Sequence, residues 1–337
     1  MLFEYELIKF LTCFGSVILV NSFLPEILLK KYKLKKYNFV NNMSEVELPP
    51  KLLECNDSLD EQKIVKKKYA KELLEISNKM LKILPDTRIF LRSINDVKIK
   101  KLKYKHVTYN SVVIEKGFYR PKRNIIQVEN PIYLPHELFH LSSSYFDITK
   151  NILYSGFSQV NNKTKTIIGK CLNEGYTALL DERYFKSGSS GYVLEKHFAN
   201  ILEMIVDEKK MFKLYCKADL QGLIVELSKY AESENVIRFI NDYEFLDLSK
   251  MVKLDKNFIN KKLQSIVKFL TESYLNKILS NIPFEFTIFP MMNFLQKIGS
   301  GFTVEDKEFS YFEPDYLENL LDRLSKAKQC SGKIIIF

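Results

Sequence analysis

Residues 136–140 read His-Glu-Leu-Phe-His, and this pentapeptide constrains the chain more than any other feature. Two histidines four positions apart share a face on an α-helix, where residues i and i+4 lie one above the other. A helix is therefore expected here, with both imidazoles directed the same way. Such a pair can hold one zinc ion at about 2.0–2.1 Å from each ring nitrogen. Glu137, next to the first histidine, can then reach an attacking water as general base without being a ligand. The chain has 4 His and 27 Glu among 337 residues. Random placement would give this spacing about 0.004 times in a chain of that length and composition. A plainer reading stays open: two histidines packed on a helix face with no metal.

The flanking residues suit a helix that follows a strand and borders a cleft. Asn124–Val128 reads as the strand, and Pro131 or Pro135 can start the helix, where the missing N–H of proline costs nothing. Leu134, Leu138 and Leu141 can pack inward while His136 and His140 face the cleft. A catalytic zinc takes three protein ligands plus water, so a third donor is needed. Downstream, residues 172–185 (LNEGYTALLDERYF) read as a second helix. No cysteine stands at a ligand-like spacing from His136, so carboxylates on that helix are the natural source. Glu174 is favoured because Gly175 beside it leaves room for the two helices to approach. Asp181 and Glu182 lie two turns on, about 10–12 Å along the axis, and are candidates to hydrogen-bond a ligand imidazole instead.

The segments HELFHLSSS (136–144) and NEGYTALLDERYF (173–185) resemble the gluzincin branch of zinc metallopeptidases, over roughly residues 97–186. The Ser155–Gln159 loop and the LNEGYT helix are also similar to a group of proteins from low-GC Gram-positive bacteria. The resemblance implies a zincin-like α+β domain that acts on a peptide or protein substrate. It implies Zn2+ held by His136, His140 and Glu174, with Glu137 as catalytic base. A donor for the tetrahedral oxyanion is implied as well, often a Tyr or His. Tyr176, Tyr184 and His197 are its candidates by proximity in sequence. The chain departs from the NExxSD pattern of thermolysin-type relatives, with Thr177 in place of Ser and Ala178 in place of Asp. The usual carboxylate partner of a ligand histidine is therefore displaced or absent.

Around this centre the texture of the chain changes twice. From Leu59 to Leu84 the apolar residues recur at helical spacing, up to Pro85. From Val97 to Val128 short β-branched and aromatic runs predict three or four strands, among them 107–109 and 112–114. His106 lies in this stretch and reads as structural. After Pro131 the chain reads as helical, broken by loops near Ser155–Lys165, Ser187–Gly191 and Asn281–Pro283. Phe258 to Ile278 is a clear amphipathic helix. The expected organisation is an α+β fold in three parts. Residues 1–58 hold a hydrophobic segment and linker. Residues 59–190 form a zincin-like catalytic domain, with a small antiparallel-containing sheet over the HExxH helix. Residues 191–337 form a mostly helical subdomain.

Leu7–Leu24 carries one charge, Lys9, and is followed by Lys30, Lys31, Lys33, Lys35 and Lys36. This reads either as a membrane anchor, its basic flank keeping the domain on the cytoplasmic side, or as a core helix of a cytoplasmic protein. Five Cys without a CxxC pair fit neither a disulfide scaffold nor a cysteine zinc ribbon. The net charge of +10 comes from 44 Lys and only 7 Arg. Specific nucleic-acid recognition, which favours Arg forks, is therefore not expected. The function expected is zinc-dependent hydrolysis of a peptide bond. The alternative is a non-catalytic binding protein, cytoplasmic or membrane-associated, that retains a zincin fold.

Overall fold

The computed structural model describes residues 38–50, 57–102, 116–187, 192–251, 256–282, 287–300, 315–316 and 319–320. The Leu7–Leu24 segment with its basic flank, His106 and the strand readings at 107–109 and 112–114 lie outside the described residues. Among the described residues no helix is long and apolar enough to cross a membrane.

The fold is α+β and mostly helical, with two small sheets. After a short strand, β1 (Asn38–Phe39), come three helices: α1 (Glu61–Ile64), α2 (Ala70–Ile83) and α3 (Arg88–Ile94). The helical spacing of residues 59–84 is thus divided, and the break falls where Tyr69 takes a left-handed φ of 57°. A three-stranded sheet follows, with β2 (Lys98–Lys101) parallel to β4 (Ile125–Val128) and β3 (Gly117–Arg120) antiparallel to β4. Its inner residues Ile99, Ile126 and Val128 are buried. They pack towards the helix that carries the histidine pair, α4 (Leu134–Ser142).

Residues 144–168, read from the sequence as helix and loop, are instead sheet. Strands β5 (Ser144–Asp147), β6 (Ile152–Ser155), β7 (Ser158–Asn161) and β8 (Thr166–Ile168) form an antiparallel meander. The turns between them are set by left-handed residues: Asn151 (φ 58°), Gly156 (φ 53°) and Lys165 (φ 61°). The β6–β7 connection is a two-residue turn, since Ser155 pairs with Ser158, and glycine is favoured at its first position. Residues 38–50, read as part of a linker, are also packed into the fold. β1 (Asn38–Phe39) pairs parallel to β8, and Val40 and Val46 are buried.

The rest is helical: α5 (Lys170–Phe185), α6 (Val193–Val206), α7 (Glu208–Cys216), α8 (Leu220–Leu227), α9 (Ser233–Met251), α10 (Lys256–Asn281) and α11 (Ile288–Ser300). α10 covers the amphipathic stretch of residues 258–278. One buried apolar cluster runs from Val40 through α4 and α5 to Leu320. It fixes α4 and α5 side by side, and the candidate centre lies between them.

Candidate metal centre

Helix α4 is held rigidly from its start. Asn130 accepts a hydrogen bond from Ile132 N–H at 3.1 Å, a one-turn 3-10 segment at Pro131–Tyr133 follows, and Pro135 occupies the first turn of α4. Every residue of α4 is buried, with Leu134, Leu138 and Leu141 fully so. His136 and His140 are 6% and 8% exposed, so the face they share is a lined recess rather than open surface.

Helix α5 supplies the third group. It starts at Gly169, where φ is 73° and an added Cβ would lie 1.9 Å from Phe157 O. Glycine is required there, and it turns the chain from β8 into α5 so that the first turn meets α4. Glu174 then reaches both imidazoles. Its Oε2 is 3.2 Å from His140 Nε2 and 3.5 Å from His136 Nε2, and the two Nε2 atoms are 3.2 Å apart.

These lengths test whether the residues fit zinc. With bonds of about 2.0–2.1 Å, donors at two corners of a tetrahedron stand about 3.3 Å apart. The three observed separations bracket that value. Two imidazoles and a carboxylate are also the donor set of a catalytic zinc that keeps an open position. Among the described residues this is the group of His, Cys, Asp and Glu whose donor atoms converge in this way. The residues fit the ion.

The electrostatics of the pocket couple its three groups. Burial disfavours charge on His140, but the Glu174 carboxylate outweighs it and the imidazole pKa is raised. Burial acts against charge on Glu174 too. The His140 charge and the hydrogen bonds from both histidines overcome it, holding the carboxyl well below its ordinary value. The pocket therefore keeps a carboxylate ionised while largely shielded from water. A site that binds a cation needs that property.

Asn173, one residue before Glu174, contacts the far side of the His140 ring. Its Nδ2 donates to His140 Nδ1 at 3.3 Å, and its Oδ1 accepts from Phe157 N–H at 3.2 Å. This arrangement puts the proton of the neutral ring on Nε2, towards Glu174. Thr177 braces the same turn, donating to Asn173 O at 2.7 Å and meeting Tyr215 OH at 2.6 Å. Among the described residues His136 has no such partner: its Nδ1 is buried without a hydrogen bond there. On its outer side the ring stacks parallel to Tyr192, with centroids 6.1 Å apart.

Glu137 faces β3. A Cβ at Gly117 would lie 2.8 Å from Glu137 Oε1, so the strand runs directly against the carboxylate. Glu137 is 4% exposed.

The structure brings together His136, Glu137, His140 and Glu174, and places the other sequence candidates elsewhere. Asp181 accepts from the Ser187 hydroxyl, and Glu182 pairs with Lys196 at the surface. Neither bonds a ligand imidazole; the contacts of the His140 ring go to His136, Glu174 and Asn173. Two turns of helix carry Asp181 and Glu182 too far along the axis. Tyr176 OH donates to Glu203 at 3.0 Å in the core. Tyr184 packs on Phe139 and Phe212. His197 Nε2 donates to Ile298 O at 3.1 Å. Gly175 does leave room for a helix, but for α6 rather than α4: its Cβ would lie 2.5 Å from the Glu195 carbonyl. Asn173, Tyr192 and Gly117 were not singled out by sequence. Asn173 alone had a signal, its place beside Glu174 in the motif. No family model, curated protein or solved structure matches this chain.

Proposed function

We propose that this chain is a zinc-dependent metallopeptidase with a zincin-like domain. The observation that carries the reading is the convergence of His136, His140 and Glu174 at tetrahedral spacing, with Glu137 on the same helix. Zinc held there supplies polarisation of the scissile carbonyl and a lowered pKa for the attacking water. Glu137 takes the proton from that water and passes it to the leaving amine. Its buried setting strengthens its hold on a proton donor, and Gly117 leaves its carboxylate little freedom to turn away. Tyr192 stacks on the His136 ring and so limits its turning.

A second reading is a protein that holds the metal without turnover. It is favoured by Tyr176, Tyr184 and His197, which are all engaged away from the centre.

Metal analysis together with a peptide-library digest separates the two. Both wild type and Glu137→Gln should retain zinc, because Glu137 is not a ligand. Wild type should cleave, and the variant should lose about 10²–10⁴-fold in rate, the usual worth of a general base. Equal turnover by both proteins would sink the mechanism, while zinc without turnover in wild type would favour the second reading.

A further inference from the structure

The register of the three-stranded sheet assigns each residue to one face, because alternate side chains of a strand point opposite ways. Ile99, Ile126 and Val128 are buried and define the inner face. Gly117 is paired with Val128 and Tyr119 with Ile126, so both belong to it, and there Gly117 meets Glu137. The outer face holds the alternate set: Lys98 and Lys100 on β2, Ile125 and Gln127 on β4, Phe118 and Arg120 on β3. Lys116 extends the β3 row, its carbonyl accepting from Glu129 N–H at 2.8 Å.

Lys98, Lys100, Lys116 and Arg120 are all exposed. They surround a half-buried centre of Phe118, Ile125 and Gln127. Arg120 lies over the Phe118 ring at 4.7 Å, and Lys116 over Tyr133 at 5.4 Å. None of the four cations makes an ion pair among the described residues, and Glu129 is the one acid among the described residues of this face. Like charges gathered on one sheet face repel. The face is therefore complementary to an anionic partner.

Two observations indicate which anion. Strand β3 carries both surfaces, its inner side meeting Glu137 and its outer side bearing Phe118 and Arg120, and it is the edge of the sheet among the described residues, so a chain leaving the candidate centre round that edge runs onto this face. From Gly117 to Arg120 the strand advances about 10 Å, the reach of about three residues of extended chain. Three of the four cations are lysines, separate point charges that a row of single carboxylates can match one by one.

We propose that the outer face of this sheet docks an acidic stretch of the polypeptide substrate, within about three to five residues of the bond to be cut. The proposal rests on the peptidase reading, and its test is a binding measurement that needs no turnover. Full-length Glu137→Gln protein would be titrated, by fluorescence anisotropy, into a labelled Glu-rich peptide and into its Gln counterpart. The acidic peptide should bind at least tenfold more tightly, and the preference should fade in high salt as the Debye length shrinks. Adding Lys98→Glu, Lys100→Glu and Arg120→Glu should cut that affinity at least tenfold. Lys71→Glu with Lys82→Glu, on exposed positions of α2, should leave it unchanged. If the triple reversal unfolds the chain, Lys98→Gln with Lys100→Gln gives the same readout with a smaller drop. Equal binding of the two peptides, or an unaffected triple variant, would overturn the proposal. So would displacement of the peptide by a single-stranded oligonucleotide at lower concentration, which would mark the face as a nucleic-acid surface. Acidic-peptide binding in a chain whose wild type cleaves nothing would instead uphold the docking surface and refute the peptidase.

Discussion

Gly117 stands so close to Glu137 that a methyl group on it would lie 2.8 Å from the carboxylate oxygen and 3.1 Å from Val128. Strand β3 is therefore the wall that positions Glu137, and glycine at 117 sets the clearance.

Gly117→Ala is the variant that tests this contact. The flexible end of Glu137 must yield, since Val128, paired with Gly117 on β4, is fully buried. A shift of about 1 Å in a catalytic group can cost about 10²-fold in rate. Turnover should fall by about that factor while zinc content and melting temperature stay near wild type. Unchanged turnover would mean that Glu137 is not held by the strand.

The third donor is tested by three substitutions. Glu174→Gln removes the carboxylate that lies within 3.5 Å of both imidazoles, so most zinc affinity should be lost. Asn173→Ala removes the contact to His140 Nδ1 and should weaken zinc about 10–100-fold, the usual cost of losing a ligand's orienting partner. Glu182→Gln should leave zinc affinity unchanged, because that carboxylate pairs with Lys196. Equilibrium dialysis against a zinc chelator ranks all three. A ranking with Glu182→Gln worst would reverse the assignment.

The parts of this centre that were legible in the sequence are those set by local geometry. The spacing of His136 and His140 declares a helix face by itself, and Glu174 follows from the need for a nearby carboxylate. The Gly117–Glu137 contact was not legible, because it depends on the pairing of β3 with β4, which no local pattern encodes. Tyr192 follows a Gly–Ser stretch and meets His136 only through the packing of α6 on α5. Residues 144–168 were misread because their strands are only three or four residues long, too short to display an alternation. Two of their turns bend at Asn151 and Lys165, which announce a left-handed backbone less plainly than glycine does.

Gly175 offers a stability test independent of metal. In an exposed helix interior, Gly→Ala stabilises by about 1 kcal/mol. Here the new methyl group would meet the Glu195 carbonyl carbon and oxygen at 2.5 Å, and backbone cannot step aside. The sign should reverse, with a loss of about 1–3 kcal/mol as in other overpacked cores. Chemical denaturation measures it, and a more stable Gly175→Ala protein would show that α5 and α6 are not so closely apposed.

His197 provides the pH test, and it also separates a packing role from a catalytic one. Burial pushes its pKa below the ordinary imidazole value, Ile298 O opposes that, and Lys297 and Lys196 add to it. A depressed folded pKa means that the unfolded chain binds protons more readily. Stability from this residue is then complete above about pH 6.5 and is lost as the pH falls towards the folded value. The melting temperature of wild type should therefore drop more steeply as the pH falls below about 6.5 than that of His197→Gln, whose side chain does not titrate. At neutral pH the variant should keep wild-type turnover, because His197 is bonded to Ile298 on α11 and not to the centre. A loss of about 10²–10³-fold, the cost of removing an oxyanion donor, would return His197 to the reaction.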